Sequence, residues 1–308
     1  MRPAGSTRGG LRGLAWVVVA TAAALLLPGC AWLDLKQRQI ALRPTPGRPA
    51  GLPGDGALFR PGDERFSVPV PAVIPSAGPD HLSVWWLPHA DPDAPTLLYL
   101  HGTFRNLYRN LPKIDALRAA GFAVVAVDYR GWGESTPIVP SEETIAADAR
   151  RAWAEVVRRQ PQAGRRVIFG HSMGGAVAVR LASGLHVGAD YGALVLESTF
   201  TRLPEVAASA GFWGGVAGAV ATLDFNALER IGRVDAPLLM LHGSADKTVP
   251  VALGRRLRDA APPGVRWVEV PGGSHSQLHR DAPDLYRRAF TALIGRLAPP
   301  ATASRPPP

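Results

Sequence analysis

The stretch VIFGHSMGGAVAV, Val167 to Val179, decides how the rest of the chain is read. A short apolar run meets Gly170-His171-Ser172-Met173-Gly174, and small apolar residues follow. That pattern predicts a strand, an abrupt turn and a helix, with the Ser172 hydroxyl held up at the turn as a nucleophile. The glycine spacing alone is weak support. With 33 glycines and 14 serines in 308 residues, random placement gives one such match in about one chain in six. Ser172 therefore needs partners elsewhere in the sequence.

Outward from this stretch, strands are expected at 65–70, 82–87, 96–100, 122–127, 166–169, 193–197, 237–241 and 266–270. Helices are expected at 106–120, 142–160, 173–184, 250–260 and 276–297. From 96 on, the strands are short and apolar without strict alternation, which suits a parallel sheet buried on both faces. Strand and helix alternate, as in an open doubly wound α/β sheet. Residues 201–230 break the rhythm. They contain AASAGFWGGVAGAVATL and read either as one long crossover or as a small lid over the sheet edge. Phe212 and Trp213 at its centre are candidate substrate contacts.

A neutral hydroxyl needs a base to become a useful nucleophile, and histidine takes and returns a proton near neutral pH. The histidine in turn needs a carboxylate to orient it. Asp246 follows the strand at 237–241, in His242-Gly243-Ser244-Ala245-Asp246. His275 follows the strand at 266–270, in Pro271-Gly272-Gly273-Ser274-His275. His101-Gly102-Thr103 follows the strand at 96–100. All lie past carboxyl ends of strands, where open α/β sheets bind ligands. The order serine, acid, histidine matches an elbow-type triad, and the backbone N–H groups of Thr103 and Met173 are the expected oxyanion donors. Glu197, at the end of the preceding strand, is the rival acid. His279, four residues past His275, is the rival base. Asp128 is expected to pair with Arg130 or to cap the Gly131–Gly133 turn. His101, His171 and His242 read as structural histidines lining the loops. Arg105, Tyr108 and Arg109 suit either an anionic substrate or an exposed first helical turn.

LYLHGT (98–103), DYRGWGES (128–135), GHSMGG (170–175), ESTF (197–200), HGSADKTVP (242–250) and GGSH (272–275) together resemble the α/β-hydrolase superfamily. Within it the chain is similar to the serine-aminopeptidase-like, monoacylglycerol-lipase-like and membrane-anchored branch. The resemblance implies an α/β-hydrolase fold with a mostly parallel central sheet, helices on both faces and a small apolar lid insert. The expected activity is a serine hydrolase working through an acyl-enzyme without a cofactor, and no cluster has metal-ligand spacing. Phe212, Trp213 and the apolar residues around them suggest a lipid-like acyl chain, so a carboxylic ester is the expected substrate. The alternatives are a peptidase or thioesterase on the same triad, or a non-catalytic envelope binding protein.

Hydrophobic residues make up 46% of the chain and charged residues 19%, which excludes a disordered or collagen-like polypeptide. The net charge of +9 comes from scattered arginines without a dense run, so nucleic-acid binding is not expected. Cys30 is the single cysteine, so no intramolecular disulfide forms. Arg2, Arg8 and Arg12 precede an apolar run from Leu14 to Leu27, and Leu27-Pro28-Gly29-Cys30 resembles a bacterial lipobox. Residues 1–29 are accordingly read as a signal peptide and 30–63 as a tether lipidated at Cys30, within which 31–42 reads as a short interfacial or packing helix and 43–63 as a tether or irregular entry segment. An uncleaved anchor or a plain signal is the alternative. The reading continues with a hydrolase domain over 64–298 and a disordered tail over 299–308. It places the protein in the bacterial cell envelope, and Ala31 after the cysteine leans towards the periplasmic face of the outer membrane. The oligomeric state is left open.

Overall fold

The computed structural model describes residues 31–73, 78–297 and 299. The expected signal peptide, Cys30 and nearly all of the expected tail lie outside the described residues. Residues 31–42 are helical (α1), followed by a short helix α2 (Asp55–Leu58). Two strands follow, β1 (Glu64–Val70) and β2 (Asp80–Leu87), then β3 (Thr96–Leu100), α3 (Leu107–Ala119), β4 (Ala123–Asp128) and α4 (Glu142–Arg159). The elbow joins β5 (Arg166–His171) to α5 (Met173–Ala182). Next come β6 (Ala193–Glu197), α6 (Leu203–Ala208), α7 (Phe212–Ala219) and α8 (Leu228–Ile231). The chain finishes with β7 (Leu238–Gly243), α9 (Val251–Asp259), β8 (Arg266–Val270), α10 (Leu278–Asp281) and α11 (Pro283–Ile294).

The strands form one eight-stranded sheet in the order β1-β2-β4-β3-β5-β6-β7-β8. β2 runs antiparallel to both β1 and β4, and every pairing from β4 to β8 is parallel. Alternate residues of the same strands feed two cores. Leu98, Leu100, Val125, Val127, Ile168 and Leu194 pack on one face. Leu97, Tyr99, Val124, Ala126, Val167 and Phe169 pack on the other. Burial on both faces is why these strands read as continuous apolar runs. Each fully buried Val, Leu or Phe contributes roughly 1.5–3 kcal/mol of transfer free energy.

Local chemistry sets the helix ends. Ser141 caps α4, its hydroxyl accepting from the Thr144 N–H while the Thr144 hydroxyl accepts from the Ser141 N–H. The single helix expected over 276–297 is two helices, α10 and α11, because Pro283 cannot continue the hydrogen-bond ladder and Ala282 before it is driven out of helical geometry.

Residues 43–63, read from composition as a tether or an irregular entry segment, are seated on the domain as an irregular entry segment. Pro46 bridges to Gly133, Asn106 Nδ2 donates to the Gly47 carbonyl at 3.0 Å, and Leu52, Leu58 and Phe59 pack on the second core. Leu42 at the end of α1 is fully buried. Proline and glycine made this segment irregular in sequence, but an irregular path still docks where its few apolar side chains find the core.

Residues 201–230 are a helical insert and not one crossover helix. α6 and α7 pack closely because glycine stands where they touch. A Cβ on Gly214 would lie 2.1 Å from the Ala207 carbonyl oxygen, and one on Gly218 would lie 2.6 Å from that of Pro204. The small-residue composition of the insert thus serves a tight helix hairpin. No helix among the described residues is long and apolar enough to cross a membrane.

Candidate active site

Ser172 has φ +55° and ψ −122°, a strained backbone for a non-glycine residue, and sits between β5 and α5. The turn closes only because glycine flanks it. A Cβ on Gly170 would lie 2.2 Å from the Gly174 carbonyl oxygen, and one on Gly174 would lie 2.1 Å from that of Leu100. Ser172 occupies the cap position of α5 without spending its side chain on the cap. Its hydroxyl meets His275 Nε2 at 3.1 Å instead. On the other side of the ring, His275 Nδ1 meets Asp246 Oδ2 at 2.7 Å. The second oxygen, Asp246 Oδ1, accepts from the N–H groups of Thr248 and Val249, each at 2.8 Å. Burial would raise the Asp246 carboxyl, but hydrogen bonds from His242 and His275 outweigh it and hold it well below the usual carboxylate range. A carboxylate kept charged here accepts from Nδ1–H, so the lone pair on Nε2 faces Ser172.

Two further histidines hold this arrangement in place. His171 is buried and its Nε2 lies 3.0 Å from the His275 carbonyl oxygen. Burial, reinforced by the nearby Lys113 charge, pushes His171 well below its ordinary value. It is therefore a neutral ring whose Nε2–H can donate to that carbonyl. His242 Nε2 lies 3.0 Å from the Val249 carbonyl and 3.3 Å from Asp246 Oδ2. Both rings fix the loops that carry His275 and Asp246.

Glu197 lies in a different network. It is fully buried, pairs with Lys113, and accepts from the Tyr286 hydroxyl at 2.9 Å. His279 lies on α10, away from the Ser172 hydrogen-bond chain, with both ring nitrogens buried and unpartnered among the described residues. Asp128 neither pairs with Arg130 nor caps the glycine turn. Its Oδ1 accepts from the Leu107 N–H at 2.9 Å at the start of α3, while Arg130 pairs with Asp148 and Asp80. Two carboxylates around Arg130 outcompete its neighbour in sequence. Asp128, buried beside a fully buried His101, is pushed up to about 8, and burial lowers His101 to about 4.

Ser172 opens into a cavity of about 410 Å³. Thr103 and Met173 line it beside the serine. Among the described residues neither of their N–H groups is spent on a backbone hydrogen bond, and that of Met173 belongs to the first turn of α5, where N–H groups lack partners in the helix. The far walls are apolar: Leu203, Val206 and Ala207 from the insert, Ile40 and Ala41 from α1, and Phe200. Gln37 ties α1 to the insert, its Nε2 donating to the Val220 carbonyl at 3.1 Å and its Oε1 accepting from the Thr222 N–H at 2.9 Å.

Phe212 and Trp213 require a correction. They are 77% and 80% exposed and do not line the cavity. They meet edge to face, ring centroids 5.2 Å apart, on the outer side of α7, because the glycines and alanines of that helix take the inner contact. The sequence reading allowed 31–42 to be an interfacial or packing helix but did not place it as a wall of this cavity. The wall's only trace in the sequence is the apolar series Trp32, Leu33, Leu35, Ile40 and Leu42, which carries no sign of what it faces.

A sequence model of the hydrolase family described as serine aminopeptidase, S33, matches residues 91–223. An uncharacterised protein of Mycobacterium tuberculosis is 36% identical over 225 residues, covering 70% of this chain and 77% of its own. The lysophosphatidylserine lipase of Danio rerio is 33% identical over 195 residues, covering 58% of this chain and 50% of its own. An esterase of Pyrococcus furiosus superposes with a TM-score of 0.63 at 20% identity, over 82% of this chain and 97% of its own.

Proposed function

The chain belongs to the α/β-hydrolase superfamily, and from that premise we propose that it is a serine esterase acting on acyl substrates through an acyl-enzyme. The observation that carries the proposal is the hydrogen-bonded series from Ser172 Oγ to His275 Nε2 at 3.1 Å and from His275 Nδ1 to Asp246 Oδ2 at 2.7 Å, at the mouth of an apolar cavity. In this reading the Ser172 oxygen attacks the acyl carbon as His275 Nε2 takes its proton. Asp246 stabilises the imidazolium, and the N–H groups of Thr103 and Met173 receive the oxyanion. His275 then passes the proton to the departing oxygen, and water repeats the sequence to release the acid. The apolar walls favour an aliphatic acyl chain over a peptide, and since ester and thioester share that chain, the ester is the reading to be tested against the thioester.

A fluorophosphonate probe tests the nucleophile. Labelling that vanishes in Ser172→Ala supports the reading, and no labelling of folded protein between pH 7 and 9 removes it. Parallel ester, thioester and amide substrates of one acyl group then assign the bond. We further propose that Cys30 is lipidated and holds the enzyme at the bacterial envelope. The motif Leu27-Pro28-Gly29-Cys30 motivates this, with a small residue before the cysteine. Incorporation of a palmitate analogue that persists in Cys30→Ser would sink the anchor.

A further inference from the structure

Beside the carboxyl edge of the sheet lies a second, smaller cavity of about 90 Å³, between the first turns of α3 and the segment that follows His275. Five of its lining residues are basic: Arg105, Arg109, Lys113, His279 and Arg280. No carboxylate lines it. Glu197 and Asp281, the two carboxylates that act on His279, are engaged elsewhere. Glu197 holds Lys113 and Tyr286, and Asp281 accepts from the Ser274 N–H and hydroxyl, each at 2.7 Å. Among the described residues, 24 ion pairs occur, and Arg105, Arg109 and Arg280 take part in none of them. Both nitrogens of the His279 ring are buried without a hydrogen-bond partner among the described residues. A buried polar group without a partner costs stability unless something arrives to bond it. A cluster of cations around it defines that something as an anion.

The position adds chemistry. Arg105 stands two residues past Thr103, and Ser276 follows His275 directly. The acyl chain has its own apolar cavity on the Ser172 side. The leaving group must lie within reach of His275, which protonates it. We propose that the pocket of Arg105, Arg109, Lys113, His279 and Arg280 binds a phosphate group carried on the alcohol half of the substrate, while the acyl half fills the apolar cavity. This rests on the acyl-enzyme reading and adds to it the charge of the leaving group. Arginine supplies paired N–H donors that match phosphate oxygens, and since the charge of Lys113 is met by Glu197, Arg105, Arg109 and Arg280 carry the recognition.

The experiment compares 1-acylglycerol 3-phosphate with 1-acylglycerol of the same chain length, at constant ionic strength. The double variant Arg109→Ala with Arg280→Ala changes two exposed side chains, so the fold persists. The ratio of kcat/KM, phosphorylated over neutral ester, is expected to fall at least about tenfold, mostly through KM, as charge-assisted hydrogen bonds are lost. A ratio within about twofold of the parent overturns the proposal. Calorimetry with glycerol 3-phosphate and with inorganic phosphate, on Ser172→Ala, reads the site without turnover. Binding that weakens about tenfold on adding the arginine substitutions supports the site, and no binding, or equal binding, overturns it. Turnover of neither ester, with arginine-dependent glycerol 3-phosphate binding intact, fails the acyl-enzyme reading and leaves the anion site standing. Arginine-dependent binding of inorganic phosphate with no preference for the phosphorylated ester overturns the leaving-group assignment and makes free phosphate the ligand.

Discussion

Replacing Asp246 by Asn separates the orienting role of this carboxylate from its role in the loop. Oδ1 holds the N–H groups of Thr248 and Val249 at 2.8 Å, and an amide oxygen can keep both bonds. The other position faces His275 Nδ1 at 2.7 Å, and there the amide presents N–H instead of an acceptor. His275 must then accept at Nδ1 and carry its proton on Nε2, so the nitrogen 3.1 Å from Ser172 Oγ has no lone pair for the serine proton. The cost in turnover is about 10⁴-fold, the loss that follows when an orienting carboxylate becomes an amide and the tautomer is wrong. That corresponds to roughly 5.5 kcal/mol of transition-state stabilisation. Stability falls much less, by about 1–3 kcal/mol, since the contacts of His275 and His242 with Oδ2 are weakened while the two backbone donors on Oδ1 are kept. The assay is single-turnover hydrolysis of a chromogenic ester beside a thermal melt. A kcat within about tenfold of the parent, with the fold intact, would falsify the assignment of Asp246 and turn attention to Glu197.

Three further outcomes follow from the same structure. Ala207→Trp inserts an indole into the cavity of about 410 Å³ and should shorten the preferred acyl chain. Excluding two methylenes at about 0.8 kcal/mol each lowers kcat/KM on the longest good substrate by roughly tenfold; an unchanged chain-length profile would move the acyl group elsewhere. Phe212→Ser with Trp213→Ser should leave soluble short-chain ester turnover within about twofold, because both rings point away from the cavity; a tenfold loss would return them to the substrate. Stability should peak near pH 6.5, read by chemical denaturation. Burial holds His171 well below its ordinary value and lowers His279 to about 4, so the unfolded chain binds more protons and stability drops as pH falls from about 6.5. His101 at about 4 and Asp128 at about 8 oppose each other there. Above about 6.5 Asp128 is protonated when folded and ionised when unfolded, so its contribution makes stability drop again towards pH 8. A flat profile there, or one unchanged in Asp128→Asn, refutes this account.

Much of the fold was legible because it depends on local chemistry. Apolar runs of β3 to β7, a proline at 283 and a glycine pattern around Ser172 each act over a few residues, and the strand positions follow from them. The positions of Ser172, Asp246 and His275 past strand ends were legible for the same reason. A parallel sheet carries every such loop to one edge. Pairings between side chains distant in sequence were not. Arg130 follows Asp128 by two positions yet pairs with Asp80 and Asp148, fifty residues upstream and eighteen downstream.

The α1 wall and the outward aromatics show the boundary between the two kinds of information. By itself the sequence determined an α/β hydrolase with an elbow serine and its partners in order, because backbone periodicity and turn stereochemistry are properties of neighbouring residues. Only the tertiary structure decided that Glu197 is held by Lys113 and Tyr286 rather than by His275. It alone turned Phe212 and Trp213 outward, brought Ile40 and Ala41 to the cavity of Ser172, and gathered five basic side chains around one small polar space. An amphipathic stretch has an apolar face whatever covers it, and a charge has a field whatever answers it. Which partner does so depends on the packing of the whole chain.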